Sequence, residues 1–316
     1  MSILVVGSVA FDTIETPFGK AEKVIGGSAT YFSVAASFFT NVELVGVIGD
    51  DFTEEHLGVF RNRRIDLQGL ERVSGAKTFH WSGAYGFDLN VAETRATDLN
   101  VFADFNPRLP ESFRQPEVLF LANIDPELQR EVLAQVERPA LVALDTMNYW
   151  ISSKKAELEK TIRLVDLVII NEAEVRQLTG DANLIKGARA ILELGPRTIV
   201  IKRGEYGVLM VTADRIFAVP AYPLEVVFDP TGAGDTFAGG FLGYLASGSD
   251  HSEGKLRRAI ILGSVLASYN VEAFSLDRLK EIGRAEIEAR YREFRELTEF
   301  GDYDATDVKS VSSPAP

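Results

Sequence analysis

The sequence predicts an α/β fold: one doubly wound, mostly parallel sheet with helices on both faces, and a small β-sheet beside it. Short apolar runs rich in Val, Ile and Leu alternate with helical patterns along the chain. The apolar residues fill odd and even positions of each run alike, which is typical of strands covered on both faces. Strands that alternate with helices form parallel sheets. The composition of the 316 residues, 46% hydrophobic and 25% charged, is that of a globular protein.

The predicted elements follow one another in βα order. Strands are predicted over residues 3–6, 43–48, 118–121, 140–144, 167–170 and 198–201. Helices are predicted over residues 28–39, 53–63, 126–135, 154–163, 172–178 and 184–194. The turn at 205–207 then joins two strands, and residues 215–220 add another. The apolar residues 226–228 are predicted as a last strand, which leads through a glycine-rich turn into a helix that ends at about Ala246.

Two segments, about 13–25 and 75–105, break this pattern. The first is short, polar and extended, and the second alternates and contains the aromatic residues Phe79, Trp81, Tyr85, Phe87, Phe102 and Phe105. Both are predicted as strands of the small sheet, which suits a lid over a ligand cleft; ordinary surface hairpins are the alternative. We expect one domain over residues 1–300 that includes these lid segments, and a disordered polar tail over 301–316.

Composition and charge exclude several classes of function. The formal net charge is −13, and no basic run offers the surface that nucleic acids require. The chain has no cysteine, so disulfides and thiolate metal sites are excluded, and its three histidines lack metal-ligand spacing. No apolar run approaches the ~20 residues of a membrane span, and the start of the chain does not resemble a signal peptide. We therefore expect a cytoplasmic protein that binds neither nucleic acid nor membrane.

The stretch DPTGAGDTFAGGF, residues 229–241, predicts an anion-binding site. The backbone amides of Gly232, Ala233, Gly234 and Asp235 are expected at a helix N-terminus, where amides lack intrahelical acceptors and the helix dipole favours negative charge. Glycine lets a phosphate approach the backbone closely. If an anion occupies these amides, the Asp235 carboxylate is free to accept a proton from an alcohol that attacks a phosphoryl group. The alternative is that Asp235 only caps the helix.

This stretch and four further segments, in chain order, resemble the PfkB family, also called the ribokinase family. The other segments are Gly7 with Asp12, Gly26-Gly27, VGVIGDDF at 45–52, and NEAE at 171–174 with LTG at 178–180. The match runs from residue 3 to about residue 275, and the C-terminal segment is fairly specific on its own. Enzymes of this family transfer the γ-phosphoryl group of ATP to a hydroxymethyl group of a sugar or nucleoside. The resemblance therefore implies a ribokinase-like fold, ATP as co-substrate and Mg²⁺.

The resemblance also implies roles for single residues around the transferred phosphate. Asp235 resembles the catalytic base, and Gly232, Ala233 and Gly234 resemble the anion hole. Glu174 resembles the residue that organises Mg²⁺ through water, which agrees with the preference of Mg²⁺ for keeping several waters.

Further matching positions border the two substrates. Asp12, Gly26 and Gly27 resemble the acceptor-binding residues, with the two glycines as the hinge of the lid. Residues that resemble the nucleotide-binding positions are Asn171, Lys202 and Gly204. The alternatives are that Asn171 and Glu172 cap a helix, and that Asp12 and Lys202 are solvated turn residues.

At Tyr31 the chain departs from the family pattern, because sugar kinases of the family commonly have there an asparagine that bonds substrate hydroxyls. Tyrosine keeps one hydroxyl and adds a flat apolar face. Together with Phe11, Phe79 and Trp81 it favours a nucleoside acceptor, such as an adenosine-like molecule, over a free sugar such as ribose or fructose. Packing of the lid, or an oligomer contact, is the alternative role for these aromatic residues.

Other classes of function have less support in the sequence. A non-catalytic ligand sensor on the same fold would be expected to lack Asp235 or the glycines of the anion hole, and the chain has both. A dinucleotide-dependent oxidoreductase would need a glycine fingerprint after the first strand, which GSVAFD at 7–12 does not provide. A monovalent-cation requirement and a homodimer through the lid stay open on the sequence.

Overall fold

A nine-stranded sheet forms the centre of the structure, a computed structural model that describes residues 2–250 and 252–303. In chain order its strands are β1 (Ser2–Val6), β4 (Asn41–Gly49), β5 (Ile65–Val73), β8 (Val118–Leu121), β9 (Leu141–Asp145), β10 (Leu167–Asn171), β11 (Thr198–Lys202), β12 (Val208–Val211) and β13 (Ile216–Val219). Their order across the sheet is β13-β12-β11-β10-β9-β8-β1-β4-β5. All neighbours from β11 to β5 pair in parallel. Strand β12 pairs antiparallel with β11 on one side and with β13 on the other. The predicted fold class is confirmed.

Helices cover both faces of this sheet. They are α1 (Ser28–Ala36), α2 (Glu54–Arg61), α3 (Pro126–Leu133), α4 (Asn148–Ser153), α5 (Lys155–Ile162), α6 (Glu172–Thr179), α7 (Leu184–Leu192), α8 (Ala233–Leu245), α9 (Glu253–Asn270), α10 (Asp277–Glu281) and α11 (Arg284–Thr298). Strand β1 shows why its apolar run has no alternation. Ile3 and Val5 belong to the core on the face of α1, α8 and α9, whereas Leu4 and Val6 belong to the core on the opposite face.

A separate four-stranded sheet contains the two predicted lid segments. Its strands are β2 (Ala10–Thr16), β3 (Gly19–Gly26), β6 (Phe79–Tyr85) and β7 (Ala92–Asp98), in the order β3-β2-β6-β7. Strands β2 and β6 are parallel, and the two outer pairs are antiparallel. Strand β2 begins three residues before the predicted segment, so Asp12 lies within this small sheet. Residues 100–104 form a short 3₁₀ helix instead of a strand.

Some elements differ from those expected from the sequence. Residues 226–228 are not a strand, so that prediction was wrong: Phe228 donates its amide to the carbonyl oxygen of Val271 at the end of α9, at 2.8 Å. Strand β5 and the helices α4, α9, α10 and α11 were not predicted. Of the predicted tail, residues 304–316 lie outside the described residues, as does His251. Within the described part of the chain, no helix has the length and hydropathy needed to cross a membrane.

Helix α8 packs against α1 and α9 at unusually close range because of its glycines. A Cβ atom on Gly239 would lie 2.3 Å from the carbonyl oxygen of Phe32, and one on Gly243 would lie 2.7 Å from the Cα atom of Ala36. Gly240 in the same way faces Gly263 of α9. These contacts fix the position of α8 under the sheet, and they thereby fix its N-terminus at the site described next.

Candidate active site

The glycine-rich turn leads into α8, and most backbone amides at this junction have no hydrogen-bond acceptor among the described residues. Gly232 is the residue before the helix and has a left-handed backbone, with φ of 75°. The amide of Ala233 donates to the carbonyl oxygen of Pro230 at 3.2 Å. The amides of Gly232, Gly234 and Asp235 have no acceptor among the described residues. Because these amides lie at the start of a 13-residue helix, they offer unpaired hydrogen-bond donors to an anion, and the anion hole of Gly232, Ala233 and Gly234 stays a prediction.

The Tyr31 ring packs against this turn at Gly232. Tyr31 is 1% exposed, and a Cβ atom on Gly232 would lie 2.5 Å from three atoms of its ring. Only glycine therefore fits at position 232, both because of its positive φ and because of this contact. The ring face that the sequence suggested for a nucleobase is covered by the turn, so a role of Tyr31 in acceptor binding stays a prediction.

The Asp235 carboxylate lies beside a buried ion pair. Lys202, at the end of β11, contacts Asp145, at the end of β9, with 2.9 Å between Nζ and Oδ2. A Cβ atom on Gly234 would lie 3.1 Å from the Lys202 Nζ. Burial raises the pKa of Asp235 to about 7; the negative charge of Asp145 adds to the rise, and Lys202 opposes it. A half-buried carboxyl group with this pKa suits a general base that works near neutral pH.

Asn171 and Glu174 form the N-terminal cap of α6, as the alternative interpretation held for Asn171. The Asn171 amide donates to Glu174 Oε2 at 2.9 Å, and the Glu174 amide donates to Asn171 Oδ1 at 2.8 Å. This capping box uses one oxygen of the Glu174 carboxylate. Burial raises the pKa of Glu174 to about 7; Lys202 opposes this rise and Asp145 adds to it. Glu174 therefore faces the same ion pair as Asp235.

The carboxylates fit Mg²⁺ only as partners of a hydrated or phosphate-bound ion. Within the described residues, no group of three or more His, Asp or Glu side chains is arranged to hold a metal ion. Glu174 and Asp145 are nevertheless close enough for their charges to interact, and each offers oxygen ligands. A hard cation that keeps most of its waters matches such a sparse donor set.

Asp12 extends this cluster from the small sheet. Asp12 is 4% exposed. A Cβ atom on Gly26 would lie only 1.8 Å from Asp12 Oδ2, so the carboxylate fills the space beside this glycine. Burial raises the pKa of Asp12 to about 8, and the charges of Asp229 and Asp235 add to the rise. Gly27, the residue before α1, has φ of 96° and leaves no room for a side chain against the backbone of Ser8. The predicted acceptor residues thus meet the predicted base.

The small sheet touches the large domain at two points of the site. Thr231 donates its hydroxyl to the Tyr85 hydroxyl at 3.3 Å, which joins the end of β6 to the glycine-rich turn. The loop between β6 and β7 reaches the turn after β11, where Asn90 Nδ2 lies 3.4 Å from Glu205 Oε1. A Cβ atom on Gly204 would lie 1.8 Å from Asn90 Oδ1. The small sheet therefore spans both the acceptor side and the predicted nucleotide side.

Three residues of the site escaped the sequence reasoning. Asp145 is a lone aspartate at the end of an apolar run, and its only signal is that the neighbouring strand ends at Asn171. Asp229 is fully buried, and its two carboxylate oxygens accept the amides of Thr231 and Ser275. Tyr85 was noted only as one aromatic residue among several.

Similarity to known proteins extends over most of the chain. A model of the pfkB family carbohydrate kinases matches residues 2–281. The chain is 32% identical over 248 residues to a cytidine kinase of Thermococcus kodakarensis, which covers 77% of this chain and 87% of that protein. It is similar in structure to a nucleoside kinase of Methanocaldococcus jannaschii, with a TM-score of 0.74, 22% identity, and coverage of 92% and 98% of the two chains.

A second solved structure shares the fold. A putative ribokinase II of E. coli, in complex with ATP and Mg²⁺, has a TM-score of 0.76 at 16% identity and covers 92% of this chain and 99% of that one. The family match over most of the chain, the identity to a curated relative and the arrangement of Asp235 over free helix amides lead to one conclusion. The chain belongs to the pfkB family of carbohydrate kinases, phosphotransferases that act on hydroxyl groups.

Proposed function

We propose that this protein is an ATP- and Mg²⁺-dependent kinase that phosphorylates the hydroxymethyl group of a nucleoside. The observation that supports it best is the Asp235 carboxylate, with its pKa raised to about 7, in the first turn of a helix whose leading amides are free. This arrangement brings a proton acceptor and an oxyanion site together, and transfer of a phosphoryl group to an alcohol needs both.

Each group of residues has one task in this reaction. Asp12 orients the acceptor by accepting hydrogen bonds from its hydroxyls, and Asp235 removes the proton of the attacking hydroxyl. The free amides of the turn and the Lys202 ammonium stabilise negative charge on the transferred phosphoryl group. Glu174 would hold Mg²⁺ through water molecules, and the ion would supply positive charge that offsets the charge of the phosphates. Because the reaction needs positioning and electrostatic stabilisation above all, these buried groups account for its main requirements.

The choice of a nucleoside as acceptor rests on the aromatic residues and on the relatives. The relative from Thermococcus kodakarensis is a cytidine kinase, and one structural neighbour from Burkholderia thailandensis is a nucleoside kinase in complex with inosine. A free sugar is the second candidate, because curated ribokinases are also among the relatives, such as that of Lactococcus lactis. A coupled assay of ATP consumption over a panel of nucleosides and free sugars decides between the two.

The test of the catalytic proposal is Asp235→Asn. We expect kcat to fall by ~10²–10⁴ while the thermal midpoint and ATP binding stay near those of the parent, because Asn cannot accept the proton. Asp277→Asn is a matched control, since Asp277 is an exposed aspartate in the first turn of α10. Asp235 is the third residue of α8 and makes no capping hydrogen bond, so the cap-only alternative has no support in the structure. A rate within about twofold of the parent would remove Asp235 from the mechanism.

Four further features belong to this proposal. We propose that the small sheet is the lid, with Gly26 and Gly27 as its hinge, and that two chains pair through it, since β7 is exposed along its whole length. Sedimentation analysis tests the dimer.

A cytoplasmic location agrees with the need for ATP. A requirement for a monovalent cation stays open, and activity in Na⁺ and K⁺ buffers tests it.

A further inference from the structure

One face of the small sheet is turned towards the reacting groups. Asp12 of β2 pairs in parallel with Trp81 of β6, and Ile14 pairs with Gly83. Paired residues of neighbouring strands place their side chains on the same face. Because the Asp12 carboxylate interacts with Asp235, this face is the one that looks into the cleft. Trp81 is therefore the neighbour of the residue that holds the acceptor.

The Trp81 indole lies flat on this face. A Cβ atom on Gly83 would lie 2.2 Å from the far edge of the indole ring, so the ring covers the space that any other residue would fill. The indole Nε1 is 3.3 Å from the Thr94 hydroxyl oxygen of β7 and donates to it. Trp81 remains partly exposed. The ring thus lies over Gly83 with its Nε1 edge fixed by Thr94, and part of its surface is accessible.

The other candidate rings already have partners. The Tyr31 ring is buried against Gly232, and the Phe79 ring stacks on Phe102 with centroids 5.2 Å apart. Phe11 contacts Phe52 and His56 on the other side of β2.

We propose that the Trp81 indole is the platform on which the base of the acceptor stacks, an inference that rests on the nucleoside kinase activity proposed above. Neighbouring strands are roughly 4.8 Å apart, so a nucleoside whose ribose hydroxyls bind Asp12 places its base over the next strand. Stacking on an indole accepts any base, because every base has a flat π face. The platform selects nucleosides over free sugars, and it leaves the choice among bases to other contacts.

Replacement of Trp81 tests the platform. In Trp81→Ala we expect the KM for the preferred nucleoside to rise about 5- to 150-fold, with the KM for ATP unchanged, while Trp81→Phe retains most of the affinity. Gly83→Ala keeps the Trp81 indole, but the added methyl group pushes the indole away from the sheet. We therefore expect this variant to raise the KM for the nucleoside as well. Gly86→Ala on the same hairpin is the control, since a Cβ atom there meets nothing within 4 Å.

Fluorescence gives a readout independent of turnover. The chain has two tryptophans, and Trp150→Phe leaves Trp81 as the only one; nucleoside titration should then quench the emission, and free ribose should not. A parent enzyme that phosphorylates nucleosides, with Trp81→Ala and Gly83→Ala at parental KM, overturns the platform and leaves the proposed function intact. A parent that phosphorylates free sugars and no nucleoside overturns both.

Discussion

At the scale of single residues, Lys202 sets the protonation of the site. It faces Asp145, Glu174 and Asp235; burial opposes its own positive charge, but these carboxylates together raise its pKa. In return Lys202 holds the pKa of Asp235 below the value that burial and Asp145 alone would give. Loss of Lys202 should therefore make Asp235 a carboxyl group that ionises only at higher pH.

This reasoning predicts the pH dependence of the reaction. Asp235 has its pKa raised to about 7, so below that pH it is protonated and cannot accept the hydroxyl proton. We expect kcat/KM for the acceptor to fall as the pH drops through about 7, and we expect Lys202→Met to move that decline to higher pH. Lys202→Arg retains the charge and is the control.

Glu174 and Asp12 titrate in the same range, with pKa values raised to about 7 and about 8. A decline that persists in Glu174→Gln excludes Glu174 as the titrating group, and its shift in Lys202→Met then distinguishes Asp235 from Asp12, because Lys202 acts on the pKa of Asp235 and not on that of Asp12. A profile that Lys202→Met leaves in place would contradict the coupling between Lys202 and Asp235.

At the scale of elements, the capping box of α6 combines a structural and a chemical role in Glu174. Gln at this position can still accept the Asn171 amide, but it has no charge with which to order Mg²⁺ and its waters. We expect Glu174→Gln to keep the parental thermal midpoint and to need roughly 10- to 100-fold more Mg²⁺ for half-maximal rate. Glu174→Ala should show the same Mg²⁺ defect and lose stability as well. Parental activity of either variant at low Mg²⁺ would leave Glu174 as a cap alone.

The glycines of α8 make a second prediction about elements. Alanine is a better helix former than glycine by about 1 kcal/mol, yet a Cβ atom on Gly243 would meet the backbone of Ala36. We expect Gly243→Ala to lower the free energy of unfolding by about 1–3 kcal/mol. Gly58 in α2 has open space around it, so Gly58→Ala should raise the free energy of unfolding by about 0.4–1 kcal/mol. Chemical denaturation measures both; equal stabilisation would refute the close packing of α8.

The same elements show how far sequence reasoning reaches. Strands buried on both faces, such as β1 and β10, were predicted because burial on two sides forces continuous apolar runs. Strand β5 is an edge strand with alternating exposure, and its sequence IDLQGLERV lacks such a run. The apolar residues 226–228 misled for the opposite reason. Val226 and Phe228 are 45% and 39% exposed. The Phe228 amide donates to Val271 at the end of α9, and the Phe228 carbonyl oxygen accepts the Thr16 hydroxyl of β2, so side-chain and helix-end contacts hold this segment in place of strand pairing.

The site residues also fall into those that a local sequence pattern predicts and those that it does not. Asp235, the glycines and the pair Asn171 and Glu174 were predicted, because each belongs to a local motif with its own geometry. Asp145 belongs to no motif, and its importance comes from Lys202, which is brought to it by the pairing of β9, β10 and β11. The contact of Tyr85 with Thr231 joins two sheets and is likewise invisible in a linear pattern.

At the scale of the whole molecule, closure of the small sheet should be visible as protection from proteolysis. Phe87, in the loop between β6 and β7, is 96% exposed, and exposed loop tips are preferred cleavage sites. We expect chymotrypsin to cut the free enzyme after Phe87, and to cut more slowly when a nucleoside and a non-hydrolysable ATP analogue are both bound. Phe300, 92% exposed outside the lid, is an internal control in the same digest. Equal cleavage with and without ligands would argue against closure over both substrates.

The position of α1 has a consequence for folding during synthesis on the ribosome. All nine residues of α1 are buried, because the helix is covered by the large sheet on one side and by α8 on the other. Yet α1 is among the first elements to be synthesised, and α8 follows only after some two hundred further residues. Since translation adds about 5–20 residues per second, the nascent chain exposes this apolar helix for roughly 10 to 40 seconds. Chains that terminate before α8 lack the helix that covers this surface, and we expect them to aggregate or to be degraded.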